Sequence, residues 1–403
     1  MISVHLKPHK EESLKRFHPW VFSGAIRSIQ LPADYPHDQP QEGALVQVLD
    51  SHGDILGVGH YQIGSIAVRI LEFGIGELPI NFWSKRIAQA YFVRKQQGLI
   101  REDNNSYRLV HGEGDFLPGL IIDVYANTAV VQAHSVGMHI HREEIANAII
   151  ENVPQVKNVY YKSDDTLPHK AVIQGERVGY LIGESQAETN DAFWAKENGL
   201  SFRIDWLRGQ KTGFFIDQRD NRQLLEYYSK GKDVLNMFCY TGGFSVYALR
   251  GGARKVHSVD VSQKAIELVR SNVAYNFGDN APHEAFAEEA FEFMTKNTNT
   301  YDLIILDPPA FAKHRDAVKN ALRGYQRLNA KGIQSIRPGG ILFTFSCSQA
   351  IDKEMFRLAV FSAAAQVGRK VRILHQLHQP ADHPINIYHP EGEYLKGLVI
   401  QVE

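Results

Sequence analysis

Cys347 is one of only two cysteines in this chain of 403 residues, and it stands in FSCS, directly after the apolar run GGILFT. A thiolate at a strand end is a nucleophile, whereas a protonated thiol among apolar neighbours is core filler, the commoner fate of an arbitrary cysteine. A second reactive group is Asp307, in YDLIILDPPAFAK (301–313). Two prolines after it, Pro308 and Pro309, fix φ and need no N–H partner, so the turn can hold a carboxylate and a carbonyl against a planar base. A third feature is NMFCYTGGFSVYA (236–248), where Gly242 and Gly243 let backbone approach a ligand closely and a helix start can receive an anion. The G-x-G-x-x-G spacing of dinucleotide sites is absent. Asp260, in HSVDVS, suits the two ribose hydroxyls of an adenosine-type cofactor. Its structural alternative is a helix N-cap, which Ser262 can supply instead. Glu289, in EEAFEF (288–293), is placed to accept from an adenine amino group, with Glu288 beside it.

These residues need a scaffold, and from about residue 200 the chain supplies a βαβ rhythm. DVLNMF, KVHSVDV, YDLIILD and GGILFTFS read as apolar strands, separated by FSVYALRG, QKAIELVRSNVAYNF and a long helical stretch. That alternation predicts a doubly wound parallel sheet, whose ligands bind beyond the carboxyl ends of its strands. Upstream the pattern differs. WVFSGAI, ALVQVLD, ILGVGHY and IAVRILEF are short β-type segments around the loop LPADYPHDQPQEG, and they predict a small β-barrel over roughly residues 1–75. NFWSKRIAQAYFVRKQQGL reads as a helix, the stretch 107–138 as a hairpin, MHIHREEIANAIIENV as a helix, and ETNDAFWAKENGLSFRID as a linker. The expected domains are 1–77, 78–188 and 189–403, without repeats or low-complexity segments.

Composition narrows the class. An apolar fraction of 44% supports folded domains, and 44 Lys+Arg against 45 Asp+Glu exclude a global basic footprint for nucleic acid. Any polyanion must meet a local cluster, such as KPHKEESLKRFHPW (7–20) or KHRDAVKNALRGYQR (313–327). Two cysteines form neither a disulfide framework nor a paired zinc site, so no metal is expected. No leading stretch resembles a signal peptide and no apolar run reaches the roughly 18 residues that span a bilayer, so a cytoplasmic protein without a membrane partner is expected.

HPWVFSGAI (18–26), GQKTGFFIDQRDNR (209–222), NMFCYTGGFSVYA, LDPPAFAK and FSCS together resemble the PUA-domain family of bacterial S-adenosylmethionine-dependent ribosomal RNA cytosine-5 methyltransferases. The likeness covers nearly the whole chain and is strongest over 205–350. It implies a multidomain α/β protein, with an N-terminal PUA β-barrel, a central α+β domain and a C-terminal Rossmann-like class I methyltransferase domain. By position it implies that Lys211, Thr212, Gln218 and Arg222 flank the methionine end of S-adenosylmethionine. Asn236, Phe238, Tyr240, Thr241, Gly242 and Gly243 would cradle the cofactor, Asp260 would hold its ribose, and Asp307 with Pro308 would lie between methyl donor and base. Where other cytosine-5 enzymes often carry a second cysteine after the DPP turn, this chain has Ala310, so the base for the last proton is unassigned.

The chemistry implied is covalent. Carbon 5 of cytosine is a poor nucleophile until a thiolate adds to carbon 6, which is the role expected of Cys347, with Asp307 on the N3/N4 edge. An ordinary thiol titrates near about 8.5, so a cation or donor must activate it; Lys313 and His314 are the candidates, and Cys239 is read as structural. Phe311 or Tyr325 would stack on a base taken out of its helix, or else belong to the core. Docking of large-subunit ribosomal RNA would fall to Arg16, His18 and Trp20 on the barrel, Trp20 being the better core candidate, assisted by Lys313, Arg315 and Arg327. The sequence leaves the oligomeric state open, a homodimer among the options. Two rival readings stand beside this one: methylation of an exocyclic amine, which needs no cysteine, and a non-catalytic RNA-binding or assembly factor. A nicotinamide dehydrogenase is disfavoured by the absent fingerprint.

Overall fold

The computed structural model describes residues 1–168, 173–184, 194–312 and 315–403, and the side chain of Arg315 is not among those described. The chain divides into two compact units. The first holds Met1–Ala195, Ile204–Phe214 and Ala381–Gly392; the second holds Lys196–Arg203, Phe215–Pro380 and Glu393–Glu403.

The first unit contains two sheets, each with its own apolar core. Six strands, in the order Trp20–Phe22, Ile66–Phe73, Ile55–Tyr61, Leu45–Leu49, Ile2–Leu6, Ile26–Gln30, form the first. All four β-type segments read from the sequence lie in it, but WVFSGAI is broken by a 3-10 turn at Ser23–Ala25. Ile2–Leu6 was not anticipated, although ISVHL alternates buried and half-buried side chains as a half-covered strand must. Ile2, Val4, Val21, Val46, Val48 and Val68 fill the space between the strands.

Five further strands form the second sheet, in the order Val178–Ile182, Asn158–Lys162, Thr128–Ala133, Leu120–Tyr125, Ser106–His111. The helices Phe82–Gln96 and Arg142–Asn152 belong to the same unit, and their apolar sides share its core. The single hairpin expected over 107–138 is two hairpins sharing the strand Leu120–Tyr125. Part of the expected linker is also structured: Trp194–Glu197 and Leu200–Arg203 form a two-stranded hairpin, while residues 185–193 lie outside the described residues. Its turn is Asn198-Gly199 with φ of 49° and 81°, the left-handed pair that a tight hairpin of right-twisted strands requires.

The second unit is built on seven strands: β1 (Asp233–Met237), β2 (Lys255–Asp260), β3 (His283–Ala287), β4 (Leu303–Leu306), β5 (Gly340–Ser346), β6 (Val371–Leu377) and β7 (Lys396–Val402). Their order is β3-β2-β1-β4-β5-β7-β6. The pairs among β1 to β5 are parallel, and β7 runs antiparallel between β5 and β6. The central strands LIIL and DVLNM are buried throughout, as a sheet covered on both faces demands. The order reverses between β1 and β4, so the crevice at their carboxyl ends is where this architecture receives a ligand. Among the described residues no helix is long and apolar enough to cross a membrane.

Candidate active site

The turn after β1 departs from ordinary backbone three times in five residues. Phe238, Tyr240 and Gly242 have φ of 57°, 47° and 80°, a left-handed conformation that costs energy in a residue with a Cβ. Gly242 is the position where a side chain is excluded outright, because a Cβ there would meet Val269 Cγ1 at 2.9 Å. Gly243 then opens the helix Gly243–Arg250. Two bonds hold the turn in place: Asn272 Nδ2 donates to the Thr241 carbonyl at 2.8 Å, and the Tyr240 N–H donates to Asp260 Oδ2 at 3.1 Å.

Asp260 ends β2, half-buried, and its other oxygen accepts the Ser262 N–H at 2.9 Å. The next helix is capped by Ser262, whose hydroxyl faces the Ala265 N–H. Asp260 is therefore released from capping. One bond on each oxygen leaves acceptor capacity for a pair of hydroxyls, since a carboxylate offers about four lone-pair sites. Asn236, buried on β1, donates to Ser245 Oγ at 2.9 Å, while its Oδ1 is buried without a partner among the described residues. A strained turn, a carboxylate with lone pairs to spare and an orphaned amide oxygen fit an adenosine-type ligand. Glu289 is differently employed: its Oε2 accepts the Glu292 N–H at 3.0 Å, which makes it the N-cap of Ala290–Lys296.

Asp307 follows β4 by one residue, half-buried, and accepts from Gln218 Nε2 at 3.0 Å. Pro308 behind it is buried. Asn221 Nδ2 donates to Gln218 Oε1 at 2.6 Å, which fixes the orientation of the Gln218 amide. The segment that carries both belongs to the 3-10 turn Ile216–Gln218 and the helix Arg219–Tyr228. Arg222 on that helix is buried, and its Nε and Nη2 grip Glu197 at 2.9 and 2.7 Å while Nη1 reaches the Phe215 carbonyl. Burial alone would lower this guanidinium, but Glu197 more than offsets it and keeps it raised. Arg222 therefore spends its fork on the fold, and Glu197, its partner, was not singled out from sequence; the Asn-Gly turn next to it was the available signal. Lys211 and Thr212 fall in the first unit, where Lys211 is exposed and the buried Thr212 hydroxyl donates to Asp123 Oδ2 at 2.6 Å.

Cys347 stands one residue beyond β5, the parallel neighbour of β4, and is half-buried between two fully buried serines. The register pairs Leu306 with Thr344, so Asp307 and Cys347 leave adjacent strands at the same rim, Cys347 about two residues further along. Ser348 joins the two exits. Its hydroxyl accepts the Ala312 N–H at 3.2 Å and bonds Tyr325 OH at 2.9 Å. Tyr325 is fully buried against Phe311 and Phe356, so it is core rather than a platform for a base. Cys239 is buried in the β1 turn, and burial pushes its thiol well up.

One further group enters from the last strand. Lys396 starts β7 directly opposite Ser346, is only 3% exposed, and donates to the carbonyls of Ser348 at 2.7 Å and Tyr394 at 2.6 Å. Desolvation lowers its ammonium to about 8, against a raising influence from Cys347. Lys313 and His314, proposed from sequence for the same neighbourhood, lie outside the described residues. Among the residues expected to meet RNA, Arg16 is exposed beside Glu12, His18 is half-buried, and Trp20 donates its indole N–H to Glu113 at 2.9 Å. Arg327 is exposed on the second unit, over the ring of Phe291.

Known proteins share this architecture. Residues 171–390 match the model of the S-adenosylmethionine-dependent methyltransferases, and residues 4–73 match that of PUA-like domains. The ribosomal RNA large subunit methyltransferase I of Alteromonas mediterranea is 39% identical over 99% of this chain and 98% of its own length. That of Shewanella frigidimarina is 39% identical over 100% and 99%. A solved structure from Streptococcus mutans, assigned to the SAM-dependent methyltransferases, shares the fold with a TM-score of 0.82 at 24% identity, each chain covered in full. Another methyltransferase structure, solved with SAH, aligns with a TM-score of 0.83 at the same identity and coverage. The chain belongs to the S-adenosylmethionine-dependent methyltransferases, and within them to the family of the ribosomal RNA large subunit methyltransferases I.

Proposed function

We propose that this chain methylates carbon 5 of a cytosine in large-subunit ribosomal RNA, with Cys347 as the covalent nucleophile and Asp307 as the group that holds the base. The observation that carries this reading is the shared rim of β4 and β5, where a thiol and a carboxylate leave adjacent strands and Ser348 joins their loops. The relatives named as large-subunit ribosomal RNA methyltransferases support the substrate class.

S-adenosylmethionine supplies an electrophilic methyl group. The residues placed to bind it are Asp260 for the ribose and the turn from Asn236 to Gly243 for the rest of the nucleoside. Gln218, held by Asn221, orients Asp307, whose carboxylate would accept from the N4 amino edge of the base. The Cys347 thiolate adds to carbon 6, and the electron pair of the 5,6 double bond moves to carbon 5, which becomes nucleophilic. After carbon 5 has taken the methyl group, its proton leaves to a base, the C–H pair restores the double bond, and the thiolate is expelled. Every atom added by Cys347 is thus recovered in one turnover.

Replacing Cys347 by Ala tests the reading. Methyl incorporation into ribosomal RNA from cells lacking the gene should vanish, and the modified base in the wild-type reaction should be 5-methylcytosine by mass spectrometry. Full methyl transfer by Cys347→Ala would move the chemistry to an exocyclic amine.

A further inference from the structure

A thiolate nucleophile needs a positive charge near it, and the described residues offer one on the neighbouring strand. We propose that Lys396 is the cation that holds Cys347 as a thiolate and so makes it reactive at neutral pH. The inference rests on the covalent reading above and names the positioning residue for its nucleophile.

Three observations carry it. The first is position: β7 runs antiparallel to β5 with Lys396 opposite Ser346, and its ammonium reaches the Ser348 carbonyl at 2.7 Å, so it binds the backbone on the far side of Cys347 from its own paired residue. The second is burial. A lysine only 3% exposed has its long stem fixed and its charge removed from most of the water that would screen it. The third is the donor inventory. An ammonium has three N–H groups; two go to the carbonyls of Ser348 and Tyr394, and the third has no protein partner among the described residues. A buried charge is retained only where something compensates it. The carbonyls do so in part, and an anion at Cys347 completes the set; the mutual influence of Lys396 and Cys347 has the sign this requires.

Several titratable groups near the pair, among the described residues, have partners of their own. Glu393, on the segment leading into β7, is paired with Lys353. Asp352 accepts the Met355 N–H at 2.8 Å as a helix cap, and Tyr325 on the helix Val318–Ser335 is bound to Ser348. Asp307 is engaged by Gln218. When Cys347 ionises, its proton passes to solvent, the S–H electron pair stays on sulfur, and Lys396 keeps its three protons. The ammonium changes only the energy of the anion.

The test reads the thiolate directly. Full-length protein is alkylated with iodoacetamide from about pH 6 to about pH 10, spanning the thiol range, and the Cys347 peptide is quantified by mass spectrometry. Lys396→Gln should slow alkylation of Cys347 at neutral pH about ten-fold or more, the effect of removing an adjacent opposite charge. Lys396→Arg, which keeps the charge, should restore most of the rate. A Lys396→Gln curve that overlays the wild type overturns the proposal. Should Lys396→Gln fail to fold, carbon-13 NMR of labelled lysine gives the reciprocal measurement: Cys347→Ser must lower the Lys396 midpoint, and an unmoved midpoint overturns the proposal equally. Failure here differs from failure of the covalent reading, because an inactive Cys347→Ala with Lys396-independent alkylation removes Lys396 alone.

Discussion

The hydroxyl of Ser348 receives the amide of Ala312 across 36 residues of chain, so the exits of β4 and β5 are joined at one oxygen atom. Tyr325 meets the same oxygen at 2.9 Å, which makes a buried three-way junction directly behind Cys347.

Ser348→Ala removes the junction and leaves the Ala312 N–H and the Tyr325 hydroxyl buried without that partner. Displacing a reacting group by about 1 Å can cost about 100-fold in rate, so kcat should fall by ~10- to 100-fold. Affinity for S-adenosylmethionine, for which the proposed ribose and nucleoside residues follow β1 and β2, should change much less than kcat. Steady-state methyl transfer with both parameters resolved checks this, and an equal loss in kcat and cofactor affinity would contradict it.

Asp260 and Ser262 separate two roles that sequence alone leaves open. Asp260→Asn should weaken S-adenosylmethionine binding about ten-fold or more, the value of hydrogen bonds to a charged acceptor. Ser262→Ala removes a helix cap and should cost about 1 kcal/mol of stability with cofactor binding intact. Calorimetric titration and urea unfolding of both variants provide the comparison.

Glu197 and Arg222 form a buried pair with two parallel bonds. Either Glu197→Gln or Arg222→Met leaves a charge without its counterpart, and each should cost about 3–5 kcal/mol. The double variant should cost less than the sum, because the Glu197–Arg222 term is counted once, although the buried Arg219, 3.7 Å from Glu197, still loses that carboxylate. Additive losses in a urea-unfolding cycle would argue against an ion-pair origin.

Acid should destabilise the protein before its carboxylates titrate. Burial depresses His60 to about 3, and His134 and His283 to about 4. The unfolded chain takes up these protons near pH 6.5, where the folded chain refuses them. Stability is therefore fully present above about 6.5 and is lost as pH falls from there toward 4, at up to about 1.4 kcal/mol per pH unit for each histidine. His60→Phe, which keeps the stack on Trp83 and His141, should flatten the slope of the urea midpoint between about pH 6.5 and 5. An unchanged slope would place the sensitivity elsewhere.

The second unit was legible because its signals are local. LIIL is a continuous apolar run and DVLNM a buried strand of mainly apolar residues, with helices between them, and DPP and TGG punctuate two strand ends. Ser262 could be recognised as a cap from its position before QKAIELV, and it is one. What escaped depends on partners distant in sequence. Nothing in KGLVIQV says that its lysine faces Ser346, since register across an antiparallel pair is fixed by the sheet. Glu197 lay in a stretch read as a linker, and Arg222 was assigned to the cofactor because its buried counter-ion could not be seen. Glu289 shows the converse: a carboxylate at the right strand end already serves the helix that follows it.

Both units are closed by chain that arrives late. The first draws on residues 381–392, and the second takes β7 between β5 and β6 from residues 396–402. Domains generally fold in order of synthesis, the earlier one first. That order cannot be completed here, because a nascent chain lacking these segments has an open edge at β5 and no ammonium opposite Ser346. On the proposed mechanism, Cys347 would then gain its cation only as the sheet closes, and a chain lacking residues 396–402 would carry the thiol without its activating ammonium.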